Sequence, residues 1–359
     1  MFSSAYVTHK DMFFYSKFVP NTIWTMIFSK QTPAIIAICL FLAATFSSCN
    51  RGSEYRTIDG FTQGTTFHIA YSYEGDSLDK VVDSLLQMVD NSLSVYNESS
   101  LISAINSNRD LKTDTLFENV FNRSFQIWLE SEGSFDISAA PLFEAWGFGK
   151  GKKVDADQRV IDSVMAFVGM DKVKIERGYV VKSDPRVSLN LNAIAQGYTA
   201  DVISADFERR GVKNYLIEVG GEIYCKGVNP KGDKWSVGID KPEDGNMIQG
   251  ADIQVVLLLS ERGLATSGNY RKFVEVEGKR FSHTINPSTG MPVKHNLLSA
   301  TVVASDAMTA DAYATWFMVV GLEKAIEIIE SRDDIDALLI YDKDGKFENY
   351  ISKGLEIKK

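Results

Sequence analysis

From Tyr215 to Ser305 the chain crowds short apolar runs between turn signals: YLIEVGGEIYCKG, WSVGID, IQVVLLLS, GLATSG, KFVEVEGKRFSH and LSATVVAS. Runs of that length, closely spaced, read as strands joined by hairpins rather than as strands separated by crossover helices. The closing stretch ALLIYDKDGKFENYI adds one more hairpin, with Asp344-Gly345 at its turn. Helical spacing appears mainly before this region. Leu78, Val81, Val82, Leu85, Leu86, Val89 and Leu93 recur on one face, and 114–131, 156–168 and 195–210 also fit helices. Short strands fit 173–176, 179–182 and 187–191, and the stretch 133–153 reads as a loop or broken element. Helices grouped early and hairpins late predict an α+β fold, with a mixed, largely antiparallel sheet packed with helices. No GxGxxG opens a helix, which weighs against a dinucleotide-binding βαβ domain.

The N-terminus reads differently. Residues 26–48 have the layout of a secretory signal: Lys30, then the apolar run Ala34–Phe46, then small residues before Cys49. The apolar run is short for a transmembrane helix. Small residues leading into one cysteine resemble a bacterial lipobox, which would make Cys49 the lipidated first residue of the mature protein. An uncleaved anchor is the alternative. Residues 1–25 read as an upstream extension, 49–59 as a polar tether and 60–359 as the domain. Of three cysteines only Cys225 then remains, so the mature domain can form no intramolecular disulfide and no metal site built from cysteines. The net charge is -9, without a long basic block, so nucleic-acid binding is not expected.

Four segments carry more specification than packing requires. In SLNLNAIAQGYTAD a strand-like run turns into a helix near Ala195, and a helix N-terminus suits a phosphate. Gly220-Gly221 interrupts two strand-like runs, as at a hairpin or a close approach by another group. His283, one of four histidines, stands before the turn Asn286-Pro287-Ser288-Thr289-Gly290, and GLATSGNYRKF is a possible hairpin partner. A surface turn histidine is the plain alternative. In SDAMTADAYATWFMVVG, Asp311 and Thr315 share one face of an otherwise apolar helix. A carboxylate there is costly unless paired or metal-bound. Carboxylate plus hydroxyl is an oxygen donor set suited to Mg²⁺. Together these features suggest metal-assisted phosphoryl or pyrophosphate chemistry.

These segments, in this order, resemble the ApbE family of flavin transferases. The matching runs are NLNAIAQGY (190–198), VGGE (219–222), ATSG (265–268), HTINPSTG (283–290) and DAYAT (311–315). GTTFHI, SVYNESSLISAIN and FDISAAPLFEAWGFG resemble family segments further upstream, so the likeness spans about 60–350. It implies an Mg²⁺-dependent FAD:protein FMN transferase that moves FMN onto an acceptor threonine and releases AMP. The metal ligands implied are Asp311 and Thr315 with the carbonyls of Ala195 and Ala314. His283 would act beside the pyrophosphate as acid, base or electrostatic aid. The flavin end would lie against Gln63, Tyr96, Ala145, Trp146 and Gly147, with Asn192, Gln196 and Ile285 lining the rest. Implied partners are flavin subunits of membrane electron-transfer complexes, reached from a lipid anchor facing the periplasm, by default on the inner membrane of a Gram-negative bacterium.

The chain departs from the family pattern at Asn190, Asn192, Ala193, Gln196 and Asn286, where relatives carry Asp, Gly, Gly, Lys and Asp. Loss of the lysine removes a positive charge near the phosphates. Two other readings stay open: an FAD pyrophosphatase with the same site, in which water replaces the threonine and FMN and AMP result, and a non-catalytic FAD-binding lipoprotein, which these departures keep open.

Overall fold

Eight strands form one sheet whose spatial order follows the chain: β1 (Tyr55–Thr62), β2 (Thr65–Ser72), β3 (Asn214–Val219), β4 (Glu222–Lys226), β5 (Arg262–Gly268), β6 (Leu297–Ala304), β7 (Asp336–Lys343) and β8 (Lys346–Ile351). Every neighbouring pair is antiparallel. The computed structural model describes residues 54–148, 158–243, 250–269, 273–276, 279–282 and 284–358. All belong to one unit, Gly52–Lys359. The signal, lipidation and upstream segments expected at 1–49, Cys49 included, lie outside the described residues.

Three of the connections are two-residue hairpins, at Gln63-Gly64, Gly220-Gly221 and Asp344-Gly345. Each turns with positive φ at both residues. That geometry follows the right-handed twist of the strands, whereas a common type I turn would splay them. The remaining connections carry insertions. Between β2 and β3 lie α1 (Asp79–Leu93), α2 (Leu101–Asn106), α3 (Thr115–Glu130), α4 (Ala140–Ala145), α5 (Gln158–Met165) and α6 (Ala195–Arg209), with α7 (Ala307–Val320) and α8 (Leu322–Glu330) between β6 and β7.

Both faces of the sheet are covered, which explains the apolar density of its strands. Side chains alternate between faces along each strand. On one face Ile69, Tyr71, Tyr215, Ile217 and Val219 meet Ile203 and Phe207 of α6 and Leu86 of α1. Further along the same face Ala300, Val302 and Leu339 meet Ala310, Ala314 and Phe317 of α7. On the other face the hairpin Trp235–Asp240/Ile253–Leu259 lays Trp235, Val237, Leu257 and Leu259 over Cys225, Leu264, Val303 and Ile340. Helix α7 is buried nearly all round, as its uniformly apolar sequence requires.

The structure corrects several expectations. Residues 55–59, expected as tether, belong to β1, which pairs with β2 from Tyr55 opposite Ser72 to Thr62 opposite Thr65. β1 is an edge strand and buries only Ile58, so it carries no apolar alternation to read. Residues 187–191 form no strand. Their backbone is held instead by the Asn106 side chain, which accepts from Leu189 N and donates to Leu189 O, both at 2.8 Å. Asn190 N donates to Ile137 O. GLATSG is not the hairpin partner of the segment before His283. It is β5, between β4 and β6, while Phe273–Val276 pairs with Lys279–Ser282.

Candidate active site

The cleft opens at the end of the sheet where the β1–β2 and β3–β4 turns meet the start of α6, and it encloses about 640 Å³. Gln63, Tyr96, Asn192, Ala195, Gln196, Ile285, Asp311 and Thr315 all line it. These residues span nearly the whole domain in sequence, and only folding brings them together.

At one wall of the cleft α6 crosses α7 in close contact. Gly197 makes that crossing possible, because a Cβ there would lie 2.2 Å from Ala307 O and 2.9 Å from Asp311 Cβ. With the helices this close, the Gly197 N–H donates to Asp311 Oδ2 at 3.2 Å. Asp311 is only 5% exposed. Burial pushes its carboxyl up to about 7, against the opposing effect of the Gly197 N–H. One turn along α7, Thr315 Oγ1 shares a hydrogen bond with Ser267 Oγ at 3.3 Å. The Ala195 carbonyl accepts a bond from Thr199 Oγ1 at 2.7 Å. Among the described residues no three His, Cys, Asp or Glu side chains gather as a metal cage. One carboxylate flanked by neutral oxygens fits a hard cation that keeps water and substrate phosphates in its shell.

The other expected residues divide. Tyr96 is 60% exposed, and its hydroxyl accepts from Asn192 Nδ2 at 3.0 Å, across the cleft. The Gln196 amide sits over the β3–β4 turn, where a Cβ on Gly220 would lie 2.5 Å from Gln196 Nε2. Ala314 is fully buried in α7 and does not line the cleft. Ala145, Trp146 and Gly147, expected against the flavin, do not line it either. Ala145 and Trp146 pack in a satellite core with Leu142, Ile161 and Ile285. The Trp146 indole N–H donates to Gly290 O at 2.7 Å, so this ring braces the turn at 287–290. The neighbouring Phe143 and Phe148 line the cleft in its place. His283 lies outside the described residues, while Thr284, Ile285 and Pro287 after it line the cleft.

Residue-level reading missed the acidic lining. Asp90, Asp136, Glu222 and Asp240 join Asp311 there, and no Lys or Arg lines the cleft among the described residues. Asp136 accepts from Ser138 N at 2.7 Å and Ser138 Oγ at 2.6 Å, and burial raises its carboxyl above the usual range. The segment FDISAAP marked this region, but nothing in it singled out Asp136. Ser267 falls within ATSG, again unremarked as a residue.

Solved structures that share this α+β fold include flavin transferases. The flavin transferase ApbE from Vibrio cholerae matches with a TM-score of 0.75 and 31% identity, over 84% of this chain and 97% of that one. The apo flavinyl transferase ApbE of Pseudomonas stutzeri matches at 0.74 and 28%, over 84% and 95%. The ApbE family model matches residues 63–339, and the chain belongs to that family. An FAD:protein FMN transferase of Haemophilus influenzae is 31% identical over 334 residues, covering 89% of this chain and 95% of the relative. The protein of that name from Escherichia coli K12 is 30% identical over 340 residues, covering 89% and 94%.

Proposed function

We propose that the chain is an Mg²⁺-dependent FAD:protein FMN transferase that joins FMN by a phosphoester bond to a threonine of an acceptor protein and releases AMP. The observation that carries this reading is the buried Asp311, on a helix in contact with the start of α6, in a cleft shared with Thr315 and Ala195. The names of relatives that match nearly end to end support the same activity.

Asp311, Thr315 and the Ala195 carbonyl would hold Mg²⁺, which neutralises charge on the pyrophosphate oxygens when bound. The acidic lining supports a cation requirement, because a pyrophosphate alone would face like charge there. The acceptor threonine Oγ attacks the flavin-side phosphorus, and the bond from that phosphorus to the bridging oxygen breaks. AMP leaves with that oxygen. His283, directly before cleft-lining Thr284, is the group we assign to take the hydroxyl proton. Tyr96 and Asn192 hold one wall of the flavin end, with Gln63 at the β1–β2 turn. The signal-like segment and Cys49 support a lipid-anchored, periplasm-facing protein, whose acceptors are flavin subunits of membrane electron-transfer complexes.

The test is a mass shift. Residues 52–359 are incubated with FAD, Mg²⁺ and a tagged protein bearing a threonine acceptor, beside an Asp311→Ala variant. An FMN-sized gain on the acceptor, absent with the variant, is the expected result. Free FMN and AMP with no gain on the acceptor would identify a pyrophosphatase. FAD that co-purifies unchanged would identify a binding protein.

A further inference from the structure

Behind the cleft a buried hydroxyl joins its two ends. Thr199, on α6 and fully buried, places Oγ1 2.7 Å from the Ala195 carbonyl and 2.7 Å from Gln63 Nε2. The donors can be assigned by counting protons. A carbonyl oxygen only accepts, so the single hydroxyl proton of Thr199 goes to Ala195 O. Thr199 Oγ1 has no other proton to give, so Gln63 must donate through its amide NH₂. The direction runs from Gln63 to Thr199 to Ala195. As long as the Gln63 amide stays there, the Thr199 proton is fixed on Ala195 O. Ala195 lines the same cleft as Asp311 and Thr315.

A hydrogen bond donated to a carbonyl oxygen draws on the lone-pair density that a cation would use. The helix already orients the Ala195 carbonyl, so the hydroxyl adds competition rather than alignment. Gln63 is itself held at φ +50, in the left-handed region uncommon for a side chain other than glycine, at the tip of the β1–β2 turn. Its side-chain amide is held by the hydrogen bond to Thr199 Oγ1. A ligand that engages the Gln63 amide from the cleft would free the Thr199 hydroxyl to turn away from Ala195 O.

Resting on the metal-site reading above, we propose that Thr199 is a positioning residue that keeps the Ala195 carbonyl closed to a divalent cation until the Gln63 amide is drawn off by the isoalloxazine end of FAD. Flavin engagement at one end of the cleft then strengthens cation binding at the other. By linkage, the cation strengthens FAD binding by the same factor.

The experiment titrates Mn²⁺ alone, without FAD, into the full chain and follows loss of the free-ion electron paramagnetic resonance signal. The variants are Thr199→Val, Thr199→Ser, Gln63→Leu and Asp311→Ala. Thr199→Val and Gln63→Leu are expected to bind Mn²⁺ about three- to tenfold more tightly than wild type, the effect of losing one competing hydrogen bond. Thr199→Ser, which keeps the hydroxyl, is expected to match wild type. If Thr199→Val fails to fold, Gln63→Leu at the hairpin tip decides the question. Binding that needs Asp311 but is unchanged or weakened in both Thr199→Val and Gln63→Leu overturns the relay alone. Binding indifferent to Asp311→Ala removes the metal-site reading and the relay with it.

Discussion

Asp311 sits on an apolar helix where a carboxylate is unwelcome unless a partner offsets its charge. Among the described residues its carboxylate accepts one hydrogen bond, from the Gly197 N–H. Asp311→Asn keeps the shape and removes the charge. Acceptor labelling is expected to fall by roughly two to three orders of magnitude, the scale seen when one electrostatic group is removed from an active site. Thermal unfolding of the cation-free variant should occur at or above the wild-type temperature, since an isolated buried charge has gone. A large fall in melting temperature would instead mean that Asp311 supports the fold.

At the scale of elements, the α6–α7 crossing leaves no space at its centre. Gly197→Ala forces a methyl against the Ala307 carbonyl, which cannot yield without moving a helix. Urea denaturation is expected to show a loss of about 1–3 kcal/mol, with labelling lost as Asp311 is displaced. The start of α7 carries a second device. Asp306 caps it by accepting from Thr309 N at 2.7 Å, and Asp201 accepts from Ala307 N at 2.9 Å and Met308 N at 2.8 Å. Burial pushes the Asp201 carboxyl up to about 8, with the Asp306 charge adding to the effect. Because the folded value lies above the unfolded one, the stabilising contribution is complete below pH 4 and is lost as pH rises through 8. Asp201→Asn cannot ionise. Its melting temperature minus that of wild type should therefore climb between pH 4 and pH 8, on top of a constant offset for the weakened bond to Met308 N. A flat difference would show that Asp201 is ionised throughout.

The described domain is built on a meander sheet, with its site at one end of the sheet and a hairpin roofing one face. That hairpin serves the core at Trp235 and the cleft at Gly238 and Asp240. Trp235 packs edge-on to Tyr55 of β1 and donates its indole N–H to Lys226 O at 2.9 Å. Trp235→Ala should cost about 3–5 kcal/mol in a denaturation curve, the usual range for emptying a buried aromatic site. The labelling rate of the folded fraction should remain, since Trp235 does not line the cleft. If that rate collapses as well, the roof and the cleft are mechanically one piece.

Elements whose residues interact locally or repeat could be read directly from the chain. The apolar face of α1 was legible, as were the hairpin strands of the second half and the place of Asp311 one turn from Thr315, because helical and strand periodicity are properties of neighbouring residues. Features that depend on partners far along the chain emerge only on folding. β1 was hidden because an edge strand buries one residue in eight. Residues 187–191 lost their strand character to the side chain of Asn106. Trp146 was drawn away from the cleft by a carbonyl 144 residues later, leaving Phe143 and Phe148 to line it. The acidic lining arises only when residues from Asp90 to Asp311 converge on one cleft, and the Gln63–Thr199–Ala195 hydrogen bonds only when the β1–β2 turn comes to rest on α6. A hydrogen bond between residues 136 apart leaves no period and no spacing in the sequence to read.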